Sequence, residues 1–413
     1  MKYYEDDKLI SDIENVLKGY FGPNDMLDLK NTLHVQKYDK KNQPHDCEEV
    51  STIGVNYSAS ALHRELINCM ITLAAKRISQ TQFVKLLSEL SELTINHGEF
   101  ELAAELNEEI IIKVSGSDAL SLSKAQAYLD LAKIAQRKAF WSESTDFVSK
   151  SVEIFKAKNN ANGLARCENM LGTIFGEQGK ILEAKLHFLN ALNYLNDSED
   201  LSFVAMLENN LGILESIQGN YANAKWNIKN ALQKWLSLNE YLKAARAHHN
   251  LGMLYTKQKN YYAALVEFDS SISISNQHNY LSNGAIGYIS KAYVYSLLKN
   301  IDLADAFSDK ALELSCYIND PLTIAEVYKI KGMIQEELKN IELSIEMMEN
   351  SFRINNDFDN QLNEAEANWE LNRLYRKLEK PDIAEEKKSA AIGYYDLIKA
   401  QSYINDLLAA QSN

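Results

Sequence analysis

Proline is scarce in this sequence, with 4 residues in 413, and glycine is little commoner at 16. Sandwiches, barrels and Pro-rich linkers need a turn signal roughly every ten residues, so the shortage excludes them and predicts a mostly helical chain. No run approaches the roughly 18 apolar residues of a membrane span, and the start, MKYYEDDKLISDIENVL, lacks the apolar core of a signal peptide. The expectation is a cytoplasmic protein without a membrane partner.

Cysteine is sparse and dispersed. Cys47, Cys69, Cys167 and Cys316 form no CxxC pair and have no histidine at zinc-ligand spacing, so they read as small, buried, reduced residues and no metal is expected. Phosphate-cradling GxxxxGK[ST], GxGxxG after a strand, HExxH and GxSxG are all missing, which leaves nucleotide, metal and acyl-transfer chemistry without a motif. Asp6, Asp7, His34 and His45 near the start share no spacing that would join them in catalysis. Neither cofactor nor enzymatic activity is expected. A basic surplus is missing too: the net charge of −14 gives an averaged field that repels nucleic acid and anionic lipid.

What the chain does have is apolar material, 46% of residues against 24% charged, enough to fold. It also has a repeat. The stretch ENNLGILESIQGNYANAKWNIKNAL recurs 40 residues later as AHHNLGMLYTKQKNYYAALVEFDSSI, and 40 residues earlier as CENMLGTIFGEQGKILEAKLHFLNAL. Adding 40 generates columns of small residues. One runs Ala132, Gly172, Gly212, Gly252, Ala292, Gly332, Asn372; a second Ser144, Ala184, Ala224, Ala264, Ala304, Ser344, Ala384; a third Ser151, Ala191, Ala231, Ser271, Ala311, Ser351, Ala391. A further copy with Ser91, Ala103 and Ile110 lies 41 residues upstream, making eight units.

Another column is bulky: Phe100, Trp141, Ile181, Tyr221, Tyr261, Ile301, Ile341, Pro381. It follows turn-like pieces such as QGNY and QKNY, where Gly or Asn can take the left-handed conformation that ends a helix. Each unit therefore reads as helix, tight turn, helix, with apolar residues such as Leu211, Leu214 and Ile217 on one helical face. Small residues belong where two helix backbones approach closely and large neighbours fill the grooves around them.

These residues resemble the tetratricopeptide repeat. The best copy has Leu251-Gly252, Tyr255, Ala264 and Phe268, and another has Leu171-Gly172, Phe175, Ala184, Phe188 and Ala191. The 40-residue period is similar to the long-helix subclass of kinesin light chain, the Leu-Gly-Asn protein and bacterial Rap-type regulators. The likeness spans about residues 84–400 and implies an all-α, right-handed solenoid of about eight helix hairpins. Departures are Lys291 and Lys331 for Leu, Glu215 and Gln335 for Tyr, and Asn372 for Gly, so units five to eight are expected to be less ideally packed or shaped for something else.

Residues 1–83 form an N-terminal helical segment: a face of Leu9, Ile10, Ile13 and Val16, a polar linker at about 36–56 containing Pro44, and a helix from about Ala59 to Arg77. Residues 401–413 form a capping helix end and tail. By resemblance, the solenoid holds a protein or peptide ligand in a concave groove lined by the first helix of each unit. An extended ligand needs side-chain amides that both donate and accept, and Asn169, Asn209, Asn210, Asn250 and His249 supply them just ahead of the Leu-Gly pairs. Arg166 and Arg246, one turn earlier, are placed to hold a carboxylate. His248 and His249 read as a groove-edge pair, while Glu336, Glu337, Glu364 and Glu366 read as solvated faces. The residues after the Gly column, Thr173, Ile213, Met253, Tyr293, Met333 and Arg373, lack the Asn of the clamp for Hsp70 and Hsp90 tails.

The leading expectation is a non-catalytic scaffold or adaptor that takes a peptide or helical segment of a partner in its groove. The alternative is a bacterial Rap-like peptide-sensing regulator whose N-terminal module acts on a partner protein.

Overall fold

Helix boundaries fall where the columns put them. The computed structural model describes residues 8–27, 58–96, 99–114, 118–138, 140–195, 200–318, 320–358, 360–397 and 404. The bulky column supplies the first residue of the second helix in each of eight pairs, from Gln80–Asn96 with Phe100–Val114 to Gln361–Lys377 with Pro381–Leu397. Consecutive helices pack in succession, and no strand occurs among the described residues. This is an all-α solenoid of helix hairpins. The linker at 36–56, the residues Asp6, Asp7, His34, His45 and Cys47, and the tail from 401 apart from Ile404 lie outside the described residues.

The small columns sit at the crossings. A Cβ built on Gly252 would lie 2.4 Å from the Phe268 ring, one on Gly172 would lie 2.6 Å from Phe188, and one on Gly212 would lie 2.6 Å from Ile228. The second and third columns are buried throughout, and three of their serines donate to a backbone carbonyl of the facing helix: Ser144 to Ala132 at 2.7 Å, Ser151 to Ala125 at 2.8 Å and Ser344 to Gly332 at 2.8 Å. A small polar residue thus fits a closed crossing only because the facing helix offers an acceptor.

Helix ends use local chemistry. The carboxamide of Asn260 accepts from the backbone N–H of Ala263, and Asp320 accepts from Thr323 ahead of Pro321. The turns inside the last six units each take one left-handed residue, which is Gly179 (φ 74°) and Gly219 (φ 78°) in two of them, but Lys259, Lys299 and Lys339 (φ 58°, 58° and 63°) and then Glu379 in later ones. An L-residue there is strained by about 1–2 kcal/mol. Lys259→Gly combined with Lys299→Gly is therefore expected to raise the melting temperature, each contributing about 0.5–1 kcal/mol after the entropy glycine loses on folding.

The two lysines that depart from the pattern are accommodated, while the Nδ2 of Asn372 is buried without a hydrogen-bond partner among the described residues. The Lys291 stem is buried, with its ammonium 2.6 Å from Asp269 and 4.1 Å above the Phe307 ring. Lys331 reaches Asp309 at 2.5 Å and Asp305 at 3.3 Å. Both side chains use their methylenes as apolar filling and carry the charge to a carboxylate on the preceding second helix. Glu215 is likewise buried, held by Lys185 at 2.5 Å and Asn220 at 2.8 Å, which keep its carboxyl below the usual range against the opposing cost of burial. Of the cysteines, Cys167 is buried, Cys69 is half-buried and Cys316 is exposed, so burial fails as a general reading. Cys316 lies in the last turn of Ile301–Tyr317, beside the exposed Tyr317.

The chain divides into two compact units, Met1–Gln136 with Ser142–Cys167, and Arg137–Trp141 with Glu168–Asn413. In the first, helix Lys8–Leu17 lays Leu9, Ile10, Ile13 and Leu17 against Ile67, Met70, Leu86 and Leu90, with Val16 only partly covered. In the second, five complete hairpins follow one another from Leu201, and Trp141 packs with Ala365, Trp369, Ala391 and Tyr395.

Candidate functional site: an amide ladder on the first helices

In the second unit the first helices of successive pairs touch directly: Leu201–Ile217 with Tyr241–Lys257, that helix with Leu281–Leu297, and the latter with Pro321–Glu337. Such contacts place the first helices on the inner side of the stack. A residue facing along that side meets its counterpart one unit on, about 40 positions away.

The asparagines do this. Asn210 donates its Nδ2 to Asn169 Oδ1 at 3.1 Å, and Asn250 donates to Asn209 Oδ1 at 3.0 Å. His249 Nε2 lies 2.8 Å from Ser290 Oγ, extending the ladder by one more unit. Each carboxamide spends one half on its neighbour, the Oδ1 of Asn169 and Asn209 accepting and the Nδ2 of Asn210 and Asn250 donating, and Asn250 also hydrogen-bonds the His249 ring. The sequence offered these residues for ligand contact; in the structure their carboxamides join the first helices of successive pairs.

The second unit brings together Asn169, Asn209, Asn210, Arg246, His249 and Asn250. Arg166 belongs to the first unit, where its Nε donates to Asn162 Oδ1 at 3.1 Å. Burial pushes the His249 imidazole down to about 4, against a smaller upward pull from Asn250, so the ring is neutral at pH 7. Arg246 makes no ion pair among the described residues; desolvation, then the charge of Arg137, lowers its pKa. Two guanidinium groups therefore influence each other here without a carboxylate between them.

His248 is not part of a groove-edge pair. Its Nδ1 lies 2.7 Å from Glu267 on the following helix, whereas His249 points to Ser290. His248 therefore turns to the second helix of its own pair and His249 to the first helix of the next pair. Sequence reading also missed the ladder's far end. Lys329, 80 positions after His249, is held between Glu326 at 3.2 Å and Glu366 at 2.9 Å. These carboxylates raise its pKa although burial opposes them. Glu336, read as solvated, binds Arg373 and Lys377. Following the columns past residue 290 would have found all of them.

Amides, one unpaired guanidinium and a neutral imidazole can hydrogen-bond a backbone or an anion, and none of them is arranged as a nucleophile with its base. Among the described residues no group of three His, Cys, Asp or Glu side chains is placed to hold a metal ion, and no helix is long and apolar enough to cross a membrane.

The tetratricopeptide repeat family matches residues 245–278 and 285–315. No curated protein matches the sequence. Among solved structures, the apo form of RapI is 17% identical, covering 66% of this chain and 97% of that one, with a TM-score of 0.51. A Rap conjugation gene regulator of the plasmid pLS20, in complex with the Phr* peptide, is 14% identical over 98% of this chain and 95% of its own, with a TM-score of 0.48. A tetratricopeptide repeat protein from Parabacteroides merdae ATCC 43184 is 18% identical over 66% of this chain and 93% of its own, with a TM-score of 0.43. At these identities the likeness is one of fold. Residues 245–278 and 285–315 thus match the tetratricopeptide repeat, and the stack of helix pairs is similar in fold to the Rap-type array of apo RapI.

Proposed function

We propose that the second unit is a non-catalytic scaffold that receives an extended segment of a partner protein along the inner stripe of Asn169, Asn209, Asn210, Arg246, His249 and Asn250. The amide ladder carries this reading. Across successive units it repeats carboxamide side chains at a spacing set by the helix stack, the donor and acceptor groups that a chain with unpaired backbone groups requires. Arg246, without an acidic partner among the described residues, adds a place for a ligand carboxylate.

The test uses short peptides enriched from a random library on the full chain, with affinities measured by fluorescence anisotropy. Asn209→Ala combined with Asn250→Ala should weaken them at least tenfold while the melting temperature barely moves, because the two partners are removed together. Asn250→Ala alone should cost about 1–3 kcal/mol of stability, since it strands the Oδ1 of Asn209, a residue only 8% exposed. Unchanged affinity in the folded double variant would remove these residues from the site.

A further inference from the structure

The second helices raise a different question. Their outward positions bear no load in the stack, yet in the second unit they are not uniformly polar. One such column runs Leu182, Ala222, Tyr262, Asp302, Glu342, Asp382, and the next runs Leu186, Trp226, Val266, Ala306, Glu346, Glu386. The first three members of each are apolar and open to solvent: Leu182 is 72% exposed, Trp226 64%, Tyr262 79% and Val266 64%. Leu189, a turn beyond Leu186, is exposed as well. Large apolar side chains are thus left open to solvent on three successive second helices, Ile181–Tyr194, Tyr221–Ser237 and Tyr261–Gln277.

From Asp302 onward the same columns change character. Asp302, Glu342, Glu346, Asp382 and Glu386 are exposed and make no ion pair among the described residues. The cations near the apolar half are mostly engaged: Lys185 with Glu215, Lys234 with Glu208, Lys225 above the Tyr255 ring. Lys229 stands exposed next to Trp226. At the junction of the two halves, an open depression of about 510 Å³ is lined by Val266, Asp269, Ser270, Ser273 and Ile274, wide enough for a side chain.

We infer that this outer face is a docking surface separate from the amide ladder, and that its occupant is an amphipathic segment of a partner protein, apolar at one end and rich in Lys and Arg at the other. The apolar end covers Leu186, Trp226 and Val266, and the cationic end lies over the acid-lined helices Ile301–Tyr317 and Ile341–Asp357. Charge complementarity selects this occupant. The unpaired carboxylates repel anionic lipid and any second copy laid with acid against acid, whereas a cationic segment neutralises them as it buries the aromatic anchors.

The experiment uses the full chain and two fluorescent helical peptides of about 48 residues (~72 Å of helix), long enough to run from Leu186 to Glu342. One has a leucine-faced half followed by a lysine half; its twin has glutamate for every lysine. The lysine peptide should bind at least tenfold tighter than the twin, and raising the salt should narrow the gap. Trp226→Ser should weaken it at least tenfold, and Glu342→Lys with Glu346→Lys should invert the preference, all with unaltered melting temperature because these side chains are exposed. Asn209→Ala with Asn250→Ala is measured in parallel, so failure of the ladder and failure of this surface are told apart. Equal binding of the twins, or indifference to both sets of variants, would overturn the inference. So would Trp226-dependent dimerisation by light scattering, or binding to phosphatidylglycerol vesicles in place of the peptide.

Discussion

Phe268→Ala should destabilise the protein by about 3–5 kcal/mol, because the ring is fully buried and the site is too tightly built to collapse. Gly252→Ala should also destabilise it, by about 1–3 kcal/mol, since its Cβ would lie 2.4 Å from that ring and force Phe268 off its rotamer. The two changes are not independent. In the double variant the added methyl projects into the space the ring vacates, so the combined loss should fall short of the sum by about 0.5–3 kcal/mol. Gly284→Ala is the control: its nearest neighbour would be 3.6 Å away, an ordinary contact, and removing a helical glycine should stabilise by about 0.5–1 kcal/mol. Urea titrations of the four variants measure this, and additive losses at Gly252 and Phe268 would show that the crossing is not close-packed.

Lowering the pH from 7 to 5 should cost the wild-type chain about 2 kcal/mol more than the His249→Gln variant. The His249 imidazole sits near 4 in the folded protein against 6.5 in the unfolded chain, so the unfolded state binds the extra proton first. Stability is unaffected above pH 6.5, falls through the interval down to about 4, and is flat below it. Over the whole interval the loss approaches about 3 kcal/mol, an upper figure because the residue keeps some solvent contact. Asp130, in the other unit, works in the opposite direction. Burial raises it to about 6, so its contribution is lost as pH rises through that value. Comparing wild type with His249→Gln at each pH cancels Asp130 and the remaining carboxylates. Parallel pH curves for the two proteins would place His249 in solvent.

The fold was legible because its determinants are properties of single residues. Gly172, Gly212 and Gly252 lack a Cβ wherever they stand, and the bulky column marks helix starts whatever surrounds it. Partnerships were less legible. That Asn250 meets Asn209, or that Lys291 meets Asp269, depends on a register between helices that no local pattern prints. Lys291 and Lys331 therefore looked like defects, when each is a filled position with its charge led outward. The separation of His248 from His249 follows the same register, which sends the two rings to different helices. The outward apolar columns were legible as letters but not as exposure, because Trp226 and the buried Trp235 lie on one helix and only packing tells them apart.

Trp141 changes how such a stack comes apart. A ribbon in which every hairpin leans only on the next unzips from its ends, each step costing one interface. Here the indole lodges among Trp369, Ala391 and Tyr395, more than two hundred positions downstream. The terminal hairpin then cannot peel away without uncovering a tryptophan near the beginning of the same body, so fraying at one extremity is felt at the other. That shortcut makes the array behave less like a zipper and more like a clasped bracelet.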